Sequence, residues 1–147
     1  MFLMTFPLKL DEKGRFFLPK SYREPLSNGL VIVQNQENSL AIYSTEDFEA
    51  AAKRILEEAS RTLEDVRAFQ RMLGADASQT KPDAQFRVTV PAVLREYARL
   101  ERDIVVTGVI DHVEIWNPEL WAGYRAAQQP RYSQINQMIG QPQGGAQ

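Results

Sequence analysis

Two short loops carry acidic and basic side chains at a spacing that suits contact with an anion. The first is Asp11-Glu12-Lys13-Gly14-Arg15, and the second begins at Asp83 and ends at Arg87. An aspartate that begins a tight turn normally accepts hydrogen bonds from backbone N–H groups of that turn. An arginine at its end projects a planar guanidinium, which suits a phosphate group or the O6/N7 edge of guanine. Both loops are therefore candidates for a nucleic-acid contact.

Each residue of the first loop has a defined role in such a contact. Asp11 orients the projecting Arg15. Gly14 supplies the positive φ angle of the turn, and Lys13 at its tip adds a flexible charge for a phosphate backbone. The alternative is a plain solvated turn, in which Arg15 pairs with Asp11 and binds nothing else. Because both interpretations use the same chemistry, the loop alone does not decide between them.

A repeat of this motif favours the functional interpretation. Four residues recur 72 positions later, since Asp11, Arg15, Pro19 and Arg23 correspond to Asp83, Arg87, Pro91 and Arg95. Apolar pairs further along recur at nearly the same offset, as Ile42-Tyr43 and Ile115-Trp116 do. The offset predicts a module that occurs twice. Two like loops on one pseudo-symmetric unit can touch two places on a duplex.

The elements that position the loops follow the same order in both copies. A short strand enters each loop, a second strand leaves it, and a proline then begins a short helix. A β-branched run, a polar turn and another strand complete each copy, as in residues 30–33 and 40–43. Between the copies, apolar residues at helical spacing predict a helical hairpin over residues 45–59 and 63–73, ended by Gly74. The fold class is therefore α+β, with two tandem β-modules.

These elements divide the chain into four segments. Residues 5–50 form the first module, residues 51–78 the helical spacer and residues 79–122 the second module. Residues 128–147 are rich in Gln, Gly and Pro and have few apolar anchors. We expect this last segment to be a disordered tail.

Composition limits the classes of function. The 147 residues include no cysteine, and no apolar run approaches the roughly 20 residues of a membrane span. We therefore expect a cytoplasmic protein without a membrane partner. The net charge of −2 predicts that the chain does not coat DNA indiscriminately, although a small basic face still suits phosphate contacts.

No catalytic or cofactor motif is recognisable in the sequence. The single histidine, His112, lies in a predicted turn and is expected to be solvated, and no serine or acid stands at triad spacing. Metalloprotease, phosphate-loop and dinucleotide patterns are absent. Acid–base catalysis by Asp11 and Asp83 is the weakest alternative, because each precedes an arginine in a turn. We expect no enzyme activity, cofactor, metal or small-molecule substrate.

The loops and their surroundings resemble the MraZ family of transcriptional regulators, which has two SpoVT-AbrB-type modules. The match is carried by Asp11-Glu-Lys-Gly-Arg15 with Pro19 and Arg23, by Ala68-Phe69-Gln70-Arg71, by Arg95-Glu-Tyr97-Ala98 and by Glu114-Ile115-Trp116. In that family each module carries a D-x-K-G-R or D-x-x-x-R loop followed by a proline and an arginine. The resemblance covers roughly residues 1–125.

The resemblance implies swapped-hairpin β-modules that form one pseudo-symmetric unit, and assembly into a ring-like homo-oligomer. It further implies a nucleoid-associated regulator that binds double-stranded DNA at promoter repeats of the division and cell-wall gene cluster. Carried over by position, the DNA-contact residues are Lys13, Arg15 and Arg87, and the loop-organising residues are Asp11, Gly14 and Asp83. The alternative from another class is an antitoxin-like or scaffold module without specific DNA binding, which the acidic balance suits.

Two positions depart from the family pattern. Phe86, preceded by Gln85, stands where the second loop usually has glycine, and Met4 stands where glycine is common. If residue 86 adopts a positive φ angle, its bulky side chain is strained by about 1–3 kcal/mol. We therefore expect a reshaped second loop, which would change the geometry of Arg87.

Overall fold

The computed structural model describes residues 1–59 and 62–140, and it gives the two copies the same order of elements. The first copy contains β1 (Thr5–Lys9), β2 (Arg15–Phe17), α1 (Lys20–Leu26), β3 (Leu30–Gln34) and β4 (Leu40–Ser44). The helices α2 (Thr45–Ala59) and α3 (Leu63–Ala75) follow it. The second copy contains β5 (Ser78–Thr80), β6 (Arg87–Thr89), α4 (Ala92–Tyr97), β7 (Asp103–Gly108) and β8 (Val113–Trp116). The last helix, α5 (Pro118–Gly140), belongs to a separate unit.

A proline precedes the short helix in each copy. Pro19, with φ of −52°, stands immediately before α1, and Pro91, with φ of −59°, stands immediately before α4. The first turns close through hydrogen bonds from Tyr22 N to Pro19 O at 2.9 Å and from Leu94 N to Pro91 O at 3.0 Å. Because the proline ring fixes φ near the helical value, a proline at the equivalent position precedes both helices. The helix starts predicted from the two prolines are confirmed.

The two copies exchange strands within one antiparallel sheet, whose order is β1-β7-β8-β4-β3-β5. β1 of the first copy pairs with β7 of the second, with Thr5 opposite Thr107. In return, β5 of the second copy pairs with β3 of the first, with Leu30 opposite Thr80. β2 and β6 form a separate two-stranded ribbon. This exchange is the swapped-hairpin arrangement that the resemblance implies, so the predicted fold class is confirmed.

Both copies contribute to one hydrophobic core at positions that are equivalent under the repeat. Its buried side chains include Phe16, Leu18 and Tyr22 from the first copy and Val88, Val90 and Leu94 from the second. Burial of one such side chain contributes about 1.5–3 kcal/mol to stability. Because both copies supply buried side chains to the same cluster, neither copy alone contains the complete core.

The start of the first strand is tied to the core by Tyr22. Its hydroxyl donates to the backbone oxygens of Leu3 and Met4, at 2.6 and 2.9 Å. Met4 has a positive φ angle of +78°, and its carbonyl accepts from the N–H of Gly108 at 2.8 Å. The backbone there therefore has the conformation that glycine favours, although this chain places methionine at that position.

The helices α2 and α3 pack beside a second, smaller cluster of apolar residues on the sheet. The cluster contains Val31, Val33, Ala41, Tyr43 and Ala51, with Phe48, Ile55, Leu73 and Ala77 against it. α2 has the predicted bounds, and Ser44 Oγ caps it by accepting from Asp47 N at 3.2 Å. α3 continues to Ala75, one residue beyond the glycine that was expected to end it. The predicted helical hairpin is otherwise confirmed.

The prediction of a disordered tail from residue 128 is wrong over residues 128–140, where α5 continues to Gly140. Residues 141–147 lie outside the described residues. The Gln, Arg and Met residues of this segment are good helix formers. A helix begun upstream also extends without a new nucleation cost, although Pro130 removes one hydrogen bond inside it. Within residues 1–59 and 62–140, no helix is long and apolar enough to cross a membrane.

Candidate nucleic-acid interface

The first loop is closed by hydrogen bonds to one aspartate. Asp11 Oδ1 accepts from the backbone N–H groups of Lys13 and Arg15, both at 2.9 Å. Its Oδ2 accepts from Arg15 Nε at 2.7 Å. The backbone completes the turn, since Gly14 N donates to Asp11 O at 3.0 Å and Asp11 N donates to Arg15 O at 2.8 Å. The aspartate therefore fixes both the turn and the direction of the arginine.

The second loop has the same set of hydrogen bonds. Asp83 Oδ1 accepts from the N–H groups of Gln85 and Arg87 at 2.9 and 2.8 Å, and Oδ2 accepts from Arg87 Nε at 2.8 Å. Phe86 N donates to Asp83 O at 2.9 Å, and Asp83 N donates to Arg87 O at 3.0 Å. The expectation of a reshaped second loop is wrong. Phe86 adopts the positive φ angle, +63°, that Gly14 has at +76° in the first loop.

The two aspartates are held in their ionised form by these contacts. The backbone hydrogen bond from Arg15 is the largest cause that lowers the pKa of Asp11 below its ordinary value of 3.8. The equivalent bond from Arg87 does the same for the pKa of Asp83. Of each guanidinium, the carboxylate engages only Nε, and among the described residues the terminal Nη groups of Arg15 and Arg87 have no hydrogen-bond partner. Those groups can donate to an external anion or base edge.

Each loop is also tied to the opposite copy. Val90 N of the second copy donates to Gly14 O at 2.8 Å, and Leu18 N of the first copy donates to Phe86 O at 2.9 Å. Each loop is thus hydrogen-bonded to the segment that follows the ribbon strand of the opposite copy, across the pseudo-symmetry axis. A change in one loop therefore acts on the copy that carries the other.

An arginine from a helix braces each loop, and position 14 or 86 decides how. A Cβ atom on Gly14 would lie 1.8 Å from Arg95 Nη1, which donates to Val90 O at 2.8 Å. At the equivalent place the guanidinium of Arg23 lies over the ring of Phe86, 4.7 Å from its centroid, while Nε donates to Leu18 O at 3.0 Å. The first brace needs a glycine, whereas the second is a cation–π contact.

The bracing role of Arg23 and Arg95 is not among the roles predicted from the sequence. The signal was present, because both recur at the same offset as the loop residues. What the sequence did not show is that each arginine reaches the loop of the other copy.

The β2–β6 ribbon brings the two predicted arginines onto one face. Arg15 stands opposite Thr89, and Phe17 stands opposite Arg87. Phe16 and Val88, which alternate with them, are fully buried. The alternation of a strand therefore points the other four side chains away from the core. Lys13 lies at the exposed tip of the first loop, and Gln85 at the exposed tip of the second.

His112 is not the solvated turn residue that was expected. Its side chain is 14% exposed, with Nδ1 at 2.7 Å from Asp111 Oδ1 and Nε2 at 3.0 Å from Glu114 Oε2. The ring stacks on Tyr43 at a centroid distance of 4.9 Å. Burial opposes the charged ring, but the hydrogen bonds to the two carboxylates outweigh it and raise the pKa of His112. The sheet thus uses this histidine for packing between β4 and β8.

Comparison with known proteins connects this arrangement to a family. A family model described as "MraZ protein, putative antitoxin-like" matches residues 1–72 and again residues 73–139. A protein of Cutibacterium acnes is 47% identical over 135 residues, which covers 92% of this chain and 94% of the relative. One of Nocardia farcinica is 44% identical over 91% of this chain and 93% of the relative. Both are named "Transcriptional regulator MraZ", a name that describes a regulator and not an enzyme.

Proposed function

This chain belongs to the MraZ family, and we propose that it is a transcriptional regulator that binds double-stranded DNA through its two Asp-x-x-x-Arg loops. The observation that carries the proposal is the outward face of the β2–β6 ribbon, on which Arg15 and Arg87 lie together. A two-stranded antiparallel ribbon is narrow enough to enter the major groove of B-DNA.

Each loop residue has a part in this interface. Arg15 and Arg87 donate through their Nη groups to bases or phosphates, and Lys13 contacts the phosphate backbone. Asp11, Gly14 and Asp83 organise the turns from which these cations project. The chain as a whole is acidic, with a net charge of −2. Binding is therefore confined to this face and weakens steeply with added salt.

One pair of loops offers few contacts, so a single chain binds weakly. We propose that several copies assemble into a ring-like homo-oligomer and present their ribbons to successive promoter repeats. Linking binding sites in this way raises apparent affinity by about 10²–10⁴-fold. The targets that we propose, as the family resemblance implies, are the division and cell-wall genes, and the proposed place of action is the nucleoid in the cytoplasm. Residues 5–50 and 79–122 are the two DNA-binding modules, separated by the spacer at 51–78.

A mobility-shift titration tests the proposal. The probe is a duplex that contains the region upstream of the protein's own gene, titrated at two salt concentrations. Arg15→Ala should weaken binding, whereas Arg67→Ala, which removes an equal charge from the exposed surface of α3, should not. If Arg15→Ala binds as tightly as the unmodified chain, the assignment of Arg15 is wrong.

A protein-interaction module is the second candidate. The antitoxin-like description of the family model and the acidic net charge favour it. The two candidates differ in retention on immobilised DNA at moderate salt. A regulator is retained on its own upstream region and not on an unrelated duplex. An interaction module is retained on neither.

A further inference from the structure

Phe17 is exposed on the same ribbon face as the two arginines. Its relative exposure is 55%, although the preceding Phe16 is fully buried. In the ribbon it stands directly opposite Arg87. A single exposed apolar side chain is common on a protein surface, so exposure alone assigns Phe17 no role. Its place on the face that carries both arginines distinguishes it from the other exposed apolar side chains. We therefore expect the ring of Phe17 to be covered by the partner that binds this face of the ribbon.

The equivalent position in the second copy is different. Thr89 lies 72 residues after Phe17, is also exposed, and stands opposite Arg15. The two halves of the ribbon therefore share their arginines and differ in the neighbouring side chain. One half offers an aromatic ring, and the other offers a hydroxyl with a single methyl group.

The major groove has one apolar feature at the base edges, the C5 methyl group of thymine, and phenylalanine is among the side chains suited to contact it. We propose that Phe17 is a specificity-determining residue that contacts a thymine methyl group in the major groove, beside the base or phosphate bound by Arg87. The inference rests on the proposed DNA binding and adds which base the ribbon recognises in the major groove. Thr89 makes a smaller contact in the other half, so one chain recognises two unequal half-sites.

The test removes only the methyl group. Sequences bound by the full-length protein are first selected from a randomised duplex pool. Each thymine of the selected site is then replaced by deoxyuridine, which keeps the hydrogen-bonding edge and lacks the methyl group. Affinity should fall about fourfold at one thymine, the effect expected for loss of one buried methyl group. Replacement at thymines outside the contact should have no effect.

Two variants connect that loss to Phe17. Phe17→Thr, which copies the second half of the ribbon, should lower the preference for thymine over deoxyuridine well below fourfold, because threonine makes the smaller contact. The control Leu63→Thr removes another exposed apolar side chain, on α3, and should keep the fourfold preference. Thr89→Phe should raise the methyl sensitivity of a thymine in the other half-site to about fourfold. Thermal melting of each variant shows that it is folded before the comparison.

The outcomes separate this inference from the proposed function. If the unmodified chain selects no duplex sequence at all, both are wrong. If it binds selected DNA but no thymine is methyl-sensitive, or if Phe17→Thr keeps the full fourfold sensitivity, only the role of Phe17 is wrong. The role is also wrong if Phe17→Thr changes the oligomer size, measured by light scattering, and leaves the methyl preference intact. In that case a second copy of the chain covers the ring.

Discussion

The two loops share one hydrogen-bond pattern but have different residues at the position of positive φ. Asp11 and Asp83 each accept two backbone N–H bonds and one arginine Nε bond, at distances of 2.7–2.9 Å. Between them the first loop places Gly14 at φ +76° and the second places Phe86 at φ +63°. The comparison shows that the aspartate and the backbone set the shape of the loop. A glycine is not required for it.

The same position does decide how the opposite copy packs. Over Gly14 there is room for Arg95 to approach the backbone, whereas over Phe86 the guanidinium of Arg23 lies on an aromatic ring. The strain of a non-glycine residue at positive φ is thus offset in part by a contact that glycine lacks. Each brace fits the residue it covers.

The largest expected effect concerns DNA binding by each arginine. Because the hydrogen-bond pattern is the same, Arg15→Ala and Arg87→Ala should each weaken binding to the promoter duplex, on the order of 10–100-fold. Fluorescence anisotropy at fixed salt measures both. If Arg87→Ala has no effect while Arg15→Ala does, the second loop is a structural copy and not a contact.

Next in size is the effect of adding one methyl group at position 14. Gly14→Ala forces a side chain into a left-handed backbone conformation and displaces Arg95, so it should lower the free energy of unfolding by about 1–2 kcal/mol. Urea denaturation measures the change. The matched control is Gly74→Ala in α3, where a Cβ atom would meet nothing within 4 Å. That variant should be neutral or slightly stabilised, and equal losses in both would show that position 14 is not special.

A smaller effect is expected from exchanging the loop tips. Lys13→Gln makes the first tip like the second, and Gln85→Lys does the reverse. Each changes one phosphate contact, so affinity should fall or rise a few-fold, and the slope of log K against log salt should change by about 0.9. Binding measured across a salt series gives both numbers. An unchanged slope for Lys13→Gln would remove Lys13 from the interface.

The smallest expected effect is that of Phe86→Gly. Relief of backbone strain favours the variant, whereas loss of the ring beneath Arg23 disfavours it. We expect the free energy of unfolding to change by less than about 1 kcal/mol. A double-mutant cycle with Arg23→Ala separates the two contributions. A large loss of stability would mean that ring packing outweighs the strain.

The loops could be predicted from the sequence because their structure is local. Asp11 bonds to groups two and four residues away, and Asp83 does the same. The prolines before α1 and α4 also act on their own neighbourhood, so a repeat of residue types predicted a repeat of structure. The swapped hairpins came from the family resemblance and not from the residues themselves.

Features that depend on distant residues were missed or mistaken. The sequence offered no way to tell that Arg95 lies on Gly14, or that Arg23 offsets the unusual Phe86, since both contacts join the two copies. His112 was expected in water because its packing partner, Tyr43, is remote in the chain. The α5 error had another source, since composition suggested disorder where a helix begun upstream continues past Pro130.

The strand exchange has a consequence for synthesis on the ribosome. β1 is complete early, but its partner β7 begins only at Asp103, so the backbone groups of β1 wait for most of the chain to be translated. At bacterial rates of about 5–20 residues per second, that wait is roughly 5–20 s. An unpaired strand edge is open to another chain during this time. The β7 strand of a neighbouring nascent chain can pair with that edge, and reciprocal pairing between two complete chains would give a domain-swapped pair.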